Sequence, residues 1–409
     1  MVSVRFLRLT ELALILSLFI VPHAWAGPAQ VHISQADLNP TLTIDQPGTY
    51  VLTENLIAGT NAPAIIVITN NVTVDLNGHR ISGMLGGEHI IINQAASLHG
   101  LTVKNGSIRG VFPGSSTVIA AHGAGNVVAD LQIQGVPRAV ILGDAATVRN
   151  TTIRGDTFAY GGPGVALQVG HRSRLESVVV KDLMVSGSFT GIVTGAASIV
   201  HRCRVLNSVG DVMTAIQTGP NSVVSETEVL SNASVGGVVP FFGVVANSNS
   251  VLRSVSAVNQ MGIGGSGLLL NGPGVIVDAF ASGNPGNGIQ AGPGALVTRS
   301  RTHLNVESGI VLQGSSMAYL NESSRNAADF GVGAGIRTTD RGNRIENNVL
   351  IGNLRGIQLD AAQNLVIGNR TSQNIQTNIL INVTPNHVGV RRSVTSSFSE
   401  KNGMANLYF

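Results

Sequence analysis

The sequence contains little of what globular proteins commonly use for stability. Among 409 residues there is one cysteine, and aromatic residues make up 4% and charged residues 11%. A single cysteine forms no internal disulfide, and Cys203 lies in an alternating strand pattern. This predicts a small buried apolar side chain rather than a nucleophile or a metal ligand. No basic run or basic-aromatic surface occurs either, so we predict no nucleic acid partner.

Long apolar runs are confined to the N-terminus. Arg5 and Arg8 precede an apolar run over residues 12–21, and Ala24-Trp25-Ala26 ends in a small-x-small pattern. This predicts a signal peptide over residues 1–26, cleaved near Ala26. The apolar run is too short to span a bilayer. We therefore expect a protein that is secreted, periplasmic or on the cell surface, without a transmembrane anchor.

What the chain does contain is an internal repeat. Glycine, at 50 residues, together with Val, Ile, Asn, Ser and Thr suits short strands joined by tight turns. A small residue followed by a branched apolar residue recurs in steps of 21 to 28 residues, at Gly164-Val165, Gly191-Ile192, Ala215-Ile216, Gly243-Val244, Gly267-Leu268, Gly288-Ile289, Gly309-Ile310, Gly335-Ile336, Gly356-Ile357 and Asn378-Ile379. A second short strand follows each pair. An asparagine then closes most units, at Asn232, Asn259, Asn284, Asn305, Asn326, Asn353 and Asn374.

This period, with two or three short strands per unit and no helical pattern, predicts an all-β, single-domain parallel β-solenoid. Leucine-rich repeats are excluded because the LxxLxLxxN spacing is absent. The repeat region covers residues 61–390, which corresponds to roughly fourteen coils of about 23 residues. We expect the closing asparagines to stack and hydrogen-bond from coil to coil. Open solenoid ends expose edge strands, so residues 27–60 and 391–409 are predicted to be caps.

The stretch Val72-Thr73-Val74-Asp75-Leu76-Asn77-Gly78-His79, with Ile81-Ser82-Gly83 after it, resembles the first coil of bacterial right-handed parallel β-helix proteins. These are the pectate-lyase-like and NosD-like carbohydrate-binding and sugar-hydrolase β-helices. The later stretch RIENNVLIGN (344–353) is similar to the repeat of the same group. The resemblance implies a right-handed β-helix and a carbohydrate ligand. It does not imply one activity, because the group includes lyases, epimerases, hydrolases and binding proteins.

The sequence lacks the signatures that would identify an enzyme of this group. Hydrolases need two or three carboxylates at defined separation. The polygalacturonase motifs, the epimerase DPHD motif and HExxH are all absent. The catalytic residues, if there are any, are therefore unknown; we predict no metal site or cofactor, and expect Ca²⁺ only if the protein is a lyase. Whether the protein is an enzyme is left open.

The second strands of successive coils predict two outward columns of alternating charge. One column is Arg202, Glu226, Arg253, Asp278 and Arg299, and the other is Arg204, Glu228, Val255, Phe280, Arg301 and Glu322. Opposite charges one above another predict a surface ion-pair ladder. Such a ladder neutralises itself and should not bind a polyanion strongly.

The first strands predict a nearly uncharged outward column: Ala166, Val193, Gln217, Val245, Leu269, Gln290, Val311, Arg337, Gln358 and Leu380. The loops that feed it carry Phe158, Tyr160, Phe189, Phe241, Phe242 and Phe330. In the resembling enzymes the groove lies along this first sheet. We predict a ligand site there, with Phe241 and Phe242 as stacking platforms, Tyr160 and Phe189 as further rings, and Gln217, Gln290, Arg337 and Gln358 as polar contacts. Alternatively, the rings only cover the sheet.

Three functions fit these observations. The first is a secreted β-helix that binds a polysaccharide or cell-surface glycan along the first-sheet groove. The second is a polysaccharide lyase or epimerase acting on a uronate-containing glycan. The third is a surface or adhesin-like structural solenoid. The sequence identifies neither the glycan nor the oligomeric state.

Overall fold

The structure is a computed structural model, which describes residues 30–59, 62–83, 91–93, 95–110, 117–135, 138–155, 160–161, 164–235, 240–259, 262–327, 333–389, 391–393 and 406–408. Across these residues the regular elements are β-strands and one 3₁₀ helix, Gln35–Asp37. None of the described segments forms a helix long and apolar enough to cross a membrane. The predicted signal peptide lies outside the described residues.

The chain winds into a solenoid in which each strand pairs in parallel with strands of the neighbouring coils. Val193 pairs with Gln217, for example, and Gln217 pairs with Val245 one coil further on. The predicted right-handed parallel β-helix is confirmed, and its approximately 13 turns are close to the predicted number.

Each coil contributes one strand to the first sheet. Two short strands, Tyr160–Gly161 and Ala233–Ser234, extend this sheet sideways by pairing with the starts of longer strands. The other strands are Leu42–Ile44, Ile65–Val67, Ile91–Asn93, Thr117–Ala121, Arg138–Leu142, Gly164–Val169, Met184–Thr194, Val209–Thr218, Phe241–Asn247, Gly265–Asn271, Asn287–Ala291, Ile310–Leu312, Ile336–Thr338, Arg355–Leu359 and Thr377–Ile381.

The next strand of each coil forms the second face. Its strands are Gln30–Ile33, Gly48–Leu52, Val72–Asp75, Thr147–Arg149, Arg174–Glu176, Ile199–His201, Val223–Ser225, Ser250–Arg253, Gly274–Val277, Ala295–Thr298, Met317–Tyr319, Arg344–Glu346, Leu365–Ile367 and His387–Val388. Two longer strands, Thr102–Gly110 and Val127–Gln134, continue without interruption onto the third face.

The last strand of each coil forms the third face. Its strands are Leu56–Ala58, Arg80–Gly83, Thr152–Arg154, Val179–Lys181, Arg204–Leu206, Glu228–Leu230, Ser256–Val258, Phe280–Ser282, Arg301–His303, Glu322–Ser324, Val349–Ile351, Arg370–Ser372, Arg391–Ser393 and Asn406–Tyr408. Asn406–Tyr408 lies between Arg370–Ser372 and Arg391–Ser393 and pairs with both. The end of the chain is thus inserted as a strand of the stack, and the cap boundaries remain predictions.

A recurring two-residue unit turns the chain at the corners. A residue with positive φ is followed by an inward-facing small or polar residue, as in Arg202 (φ 53°) before Cys203 and Arg325 (φ 52°) before Asn326. The inward residues of successive coils stack into three columns. We call them the 1–2, 2–3 and 3–1 columns after the faces that meet at each corner.

The predicted asparagine ladder is the 3–1 column, and it is confirmed. Nδ2 of Asn284 donates to Oδ1 of Asn305 at 2.8 Å, and Nδ2 of Asn305 donates to Oδ1 of Asn326 at 2.8 Å. These side chains are almost fully buried. A Cβ on Gly267 or Gly288 would lie 2.5 or 2.6 Å from the nearest ladder amide nitrogen. The glycines of the repeated pair therefore make room for the ladder.

The other two columns also become asparagine ladders late in the chain, which the sequence analysis did not predict. In the 2–3 column Asn321 donates to Asn348 and Asn348 to Asn369, each at 3.0 Å. In the 1–2 column Asn343 donates to Asn364 at 3.0 Å. Buried amides in such rows satisfy one another, so the narrow core can be partly polar.

Candidate functional site

The outward column of the first sheet is the predicted site, and its register is as predicted with one correction. Gln168, not Ala166, pairs with Val193. Ala166 is fully buried because Ala166-Leu167, rather than Gly164-Val165, is the repeated pair in that coil, and both of its residues face inward. The corrected column begins with the exposed side-chain amide of Gln168. Gln217, two coils later, is exposed as well.

Two of the predicted aromatic contacts are wrong. Phe241 is 0% and Phe189 is 1% exposed, so both are core residues that no ligand can reach. Phe242 faces outward and is half-buried, between Thr214 and Ser266 of the neighbouring coils. Two adjacent phenylalanines on a strand must point to opposite faces, and the sequence alone did not say which was which.

Three further aromatics were predicted near this sheet. Tyr160 lies in the short strand Tyr160–Gly161, which extends the first sheet next to Val185. Phe158 and Phe330 fall outside the described residues. Phe242 is thus the described phenylalanine that the structure leaves on the predicted surface of this sheet.

The polar residues of the column differ in accessibility. Gln217 is exposed, whereas Gln290 is half-buried and accepts a hydrogen bond from the Ser266 hydroxyl at 3.1 Å. Gln358 is only 7% exposed. Gln358 therefore supports its neighbours more than it offers a surface to a ligand.

Gln358 and the polar side chains around it form what we call the Arg337 cluster: Arg337, Arg355, Gln358, Asp360 and Asn382. Arg337 Nε donates to Asp360 Oδ2 at 2.6 Å, and Gln358 Nε2 donates to Asp360 Oδ1 at 2.8 Å. Asn382 Nδ2 also donates to Asp360 Oδ1, and Arg355 donates to the side-chain oxygen Oε1 of Gln358 at 3.0 Å. Since register pairs Arg337 with Gln358 across adjacent coils, the parallel sheet itself brings the cluster together.

The charges of the cluster suit the binding of an anion. Partial burial raises the pKa of Asp360, but hydrogen bonds from Gln358, Arg337 and Asn382 outweigh it, so that its pKa lies below the ordinary value. An ionised Asp360 with two arginines leaves a net charge of +1. Within the described residues, the terminal nitrogens of Arg337 have no hydrogen-bond partner, and its side chain is 34% exposed. Asp360 holds Arg337 in place, and the free donors of Arg337 face solvent.

The predicted charge ladder forms along the 2–3 corner and the third face, away from the first sheet. In one coil its residues differ from those predicted. Arg202 contacts Glu226 at 2.8 Å, Arg204 contacts Glu228 at 2.9 Å, Arg299 contacts Asp278 at 2.8 Å and Arg301 contacts Glu322 at 3.2 Å. The hydrogen bond between Arg202 and Glu226 raises the pKa of Arg202 and lowers that of Glu226. In each of these exposed pairs the positive and negative charges neutralise each other, as predicted.

Two predicted members of the ladder are wrong. Ser254, with φ 51°, occupies the corner position that was assigned to Arg253. Ser256 pairs with Glu228 and Phe280 in the second column, while Val255 is 1% exposed. Val223 pairs with Val251 and Glu228 with Ser256, a spacing of 28 residues, whereas the predicted columns placed Arg253 and Val255 only 27 residues after Glu226 and Glu228.

The structure also bears on metal and thiol chemistry. The described part of the chain holds no group of three or more His, Cys, Asp or Glu side chains placed to bind a metal ion. Cys203 is fully buried, as predicted, and burial raises the pKa of its thiol to about 12. Cys203 is a member of the 2–3 column, and its backbone N–H donates to the hydroxyl of Thr227 in the next coil. It therefore has a packing role.

No protein-family profile and no curated protein matches the sequence. Among solved structures, the A-module of a mannuronan C-5 epimerase from Azotobacter vinelandii is 12% identical over 83% of this chain and 90% of that one, with a TM-score of 0.40. A periplasmic alginate epimerase is 11% identical over 93% and 82%, with a TM-score of 0.39. The catalytic domain of a GH87 α-1,3-glucanase is 12% identical over 88% and 64%, with a TM-score of 0.33. At these values the function must be argued from the chain's own residues.

Proposed function

We propose that this protein is a secreted polysaccharide-binding β-helix that holds a uronate-containing glycan along its first sheet. The observation that carries the proposal is the Arg337 cluster, in which a partly buried carboxylate fixes an arginine whose terminal donors have no partner among the described residues. A guanidinium of this kind binds a carboxylate through paired hydrogen bonds. Sugar carboxylates along a polymer are the ligand class that fits it.

The rest of the column would bind the uncharged parts of the polymer. Phe242 offers a half-exposed ring for stacking against a sugar face, and Gln217 and Gln290 can exchange hydrogen bonds with hydroxyl groups. The three residues lie on the same outer face of one sheet, in which adjacent coils are about 4.8 Å apart. Gln217 and Phe242 are on neighbouring coils, and Gln290 is two coils beyond Phe242. A linear chain laid across the coils could contact them in succession.

The test is binding of alginate and polygalacturonate oligomers, with neutral glucans for comparison, measured by calorimetry on the full chain. Arg337→Gln should weaken binding of the acidic oligomers roughly ten- to hundredfold, because it removes charge-assisted hydrogen bonds worth about 1.5–3 kcal/mol. The matched control is Arg301→Gln, which removes an equal charge from the ladder. Equal loss of affinity in both variants would mean that only net charge matters, and the first-sheet site would be wrong.

Phe242→Ala separates stacking from charge. It should weaken the same oligomers about tenfold, and lower the melting temperature by no more than a few degrees, because the ring is half-exposed. Phe241→Ala is the contrasting variant, since it empties part of the core and should destabilise the fold strongly. Normal binding by Phe242→Ala would remove the stacking role.

The other two functions remain hypotheses. A lyase or epimerase needs a base, and Asp360 is engaged by three donor side chains, which does not favour it for that role. An absorbance assay for unsaturated products on any bound oligomer tests the lyase directly. The adhesin-like solenoid would be supported by a protein partner in place of a glycan.

A further inference from the structure

A second concave site lies far along the chain from the Arg337 cluster, at the 2–3 corner of the early coils. It is a cleft of about 480 Å³ lined by Gly78, Gly106, Ser107, Asp130, Leu131, Gln132, Asn150 and Thr152. We call it the corner cleft. Its size falls within the range of small-molecule pockets, about 300–1,000 Å³. Nothing in the function proposed above uses it.

The cleft lies where Thr102–Gly110 and Val127–Gln134 pair with each other on both sides of the corner. Asn105 (φ 60°) and Asp130 (φ 56°) turn the chain here as at the other corners. Gly106, within the first of these strands, and Gly78, one coil earlier, have no side chains to fill the space. A Cβ at Gly106 would overlap Leu76, so that glycine is needed for packing, whereas a Cβ at Gly78 would meet nothing within 4 Å. The space above Gly78 is therefore open.

A row of polar side chains crosses the cleft. Ser107, Gln132 and Thr152 are in register on three neighbouring coils, about 4.8 Å apart. These three side chains have no hydrogen-bond partner elsewhere in the described part of the chain. Two hydroxyls and one amide thus stand ready to donate and accept along one line.

A carboxylate and an amide form the corner side of the cleft. Asn150 Nδ2 donates to Asp130 Oδ1 at 3.0 Å, which orients the carboxylate, and Arg149 approaches Asp130 only to 3.9 Å. In the coils below, Asp75 is paired with Lys104 at 3.2 Å. Asp130 is the one charged residue of the lining itself; Arg80, in register with Ser107, and Arg109 lie near the cleft but do not line it. No aromatic residue lines the cleft among the residues given above.

We propose that the corner cleft binds a neutral saccharide through hydrogen bonds alone. Asp130 would accept from a sugar hydroxyl, as an ionised carboxylate accepts without donating. Gln132, Ser107 and Thr152 would supply the alternating donors and acceptors that a hydroxyl-rich ligand needs. An acidic sugar would meet the carboxylate of Asp130 and no cation in the lining, in contrast to the Arg337 cluster. The proposal does not depend on the function of the first sheet.

The experiment is calorimetric titration of the full chain with maltohexaose, cellohexaose and mannohexaose. Gln132→Ala removes the central amide of the row, and Gly78→Asn places a side chain that tolerates positive φ into the open space. Each should weaken the binding of the bound hexasaccharide at least tenfold. Gln46→Ala is the matched control, since it removes an exposed amide that belongs to neither site and should leave this affinity unchanged. Gln217→Ala shows whether the sugar lies on the first sheet instead.

Three results would overturn the proposal. One is that none of the three hexasaccharides binds at millimolar concentration. Another is that Gln132→Ala binds as the unmodified protein does; because Gln132 is exposed, that variant stays informative even if Gly78→Asn fails to fold. The third is that Gln217→Ala loses the same affinity as Gln132→Ala, which would place the neutral sugar on the first sheet.

Discussion

The coils before Asn259 and those after Asn284 turn at the same three corners, but they fill the 1–2 and 2–3 corners with different side chains. In the earlier coils the 1–2 column is serine, at Ser173, Ser198 and Ser222, and each backbone N–H donates to the next hydroxyl at 3.2 Å. In the later coils the same positions become Asn343 and Asn364, and both backbone and side-chain N–H groups donate to the next amide.

The difference teaches what each part of the solenoid is suited for. Both side chains donate to a backbone carbonyl, as Ser173 does to Gly170 and Asn321 to Val297. A serine makes one connection to the next coil, whereas an asparagine such as Asn321 makes two. The later coils are therefore the more tightly cross-linked. The extra short strands beside the first sheet and the corner cleft are found in the earlier part of the chain, where the spacing of the coils is less regular.

The sharpest way to break this comparison is Asn326→Ala. Asn326 is fully buried, accepts from Asn305 and donates to Asn353, so its loss leaves unpaired groups on both neighbours. We expect the free energy of unfolding to fall by about 3 kcal/mol or more. Ser222→Ala is the matched variant in the earlier coils and should cost about 1 kcal/mol. Urea denaturation followed by circular dichroism measures both, and equal losses would contradict the difference between the two regions.

A smaller effect is expected outside the core, at the ion-pair ladder. Arg202→Glu places a like charge beside Glu226 and should lower the melting temperature in low salt, and less in high salt. Because the pKa of Glu226 is lowered in the folded state, the pair stabilises above the ordinary carboxyl value of 4.5. That contribution disappears as the pH falls through the lowered pKa, and the difference between variant and original should shrink with it.

Arg253→Glu is the control for the ladder. Arg253 pairs in register with Ser225 and Val277 rather than lying in the corner column. Its reversal should lower the melting temperature less than Arg202→Glu does. An equal or larger drop would show that the coil of Arg253 is aligned as the sequence alone suggested.

The smallest effect is expected at Cys203, which occupies a 2–3 column position where the next coil has Thr227. Cys203→Ser should change the free energy of unfolding by less than about 1.5 kcal/mol, because a small hydroxyl suits this column. In the folded protein the thiol should resist alkylation at neutral pH, since burial raises its pKa to about 12. Rapid alkylation without unfolding would contradict its buried position.

Local sequence patterns predicted much of this structure, because parallel stacking repeats the same environment in every coil. The Gly-Ile pairs and the closing asparagines, such as Asn284 and Asn305, mark the period of the repeat. Alignment of the coils by that period then predicts most of the outward column of the first sheet. The two later asparagine ladders were missed since their positions hold serine, threonine or alanine in earlier coils. The orientation of Phe241 and Phe242, and the alignment of Arg253, depend on single-residue shifts that a period does not fix.

The Arg337 cluster and the corner cleft were harder to predict for another reason. Arg337 was singled out, but its link to Asp360 depends on which coil stacks on which. The cleft depends on how several coils stack at one corner, so its lining residues are far apart in sequence and show no common motif.

The asparagine ladders also give the solenoid an electrical direction. In a β-sheet the dipoles of neighbouring peptide groups largely cancel. The ladder amides do not alternate: Asn284 donates to Asn305, Asn305 to Asn326 and Asn326 to Asn353, always towards the later coil. Their dipoles therefore add along the axis of the stack, with the positive end towards the last coils. A molecule that is otherwise almost symmetric from coil to coil thus has two ends that a charged neighbour could tell apart.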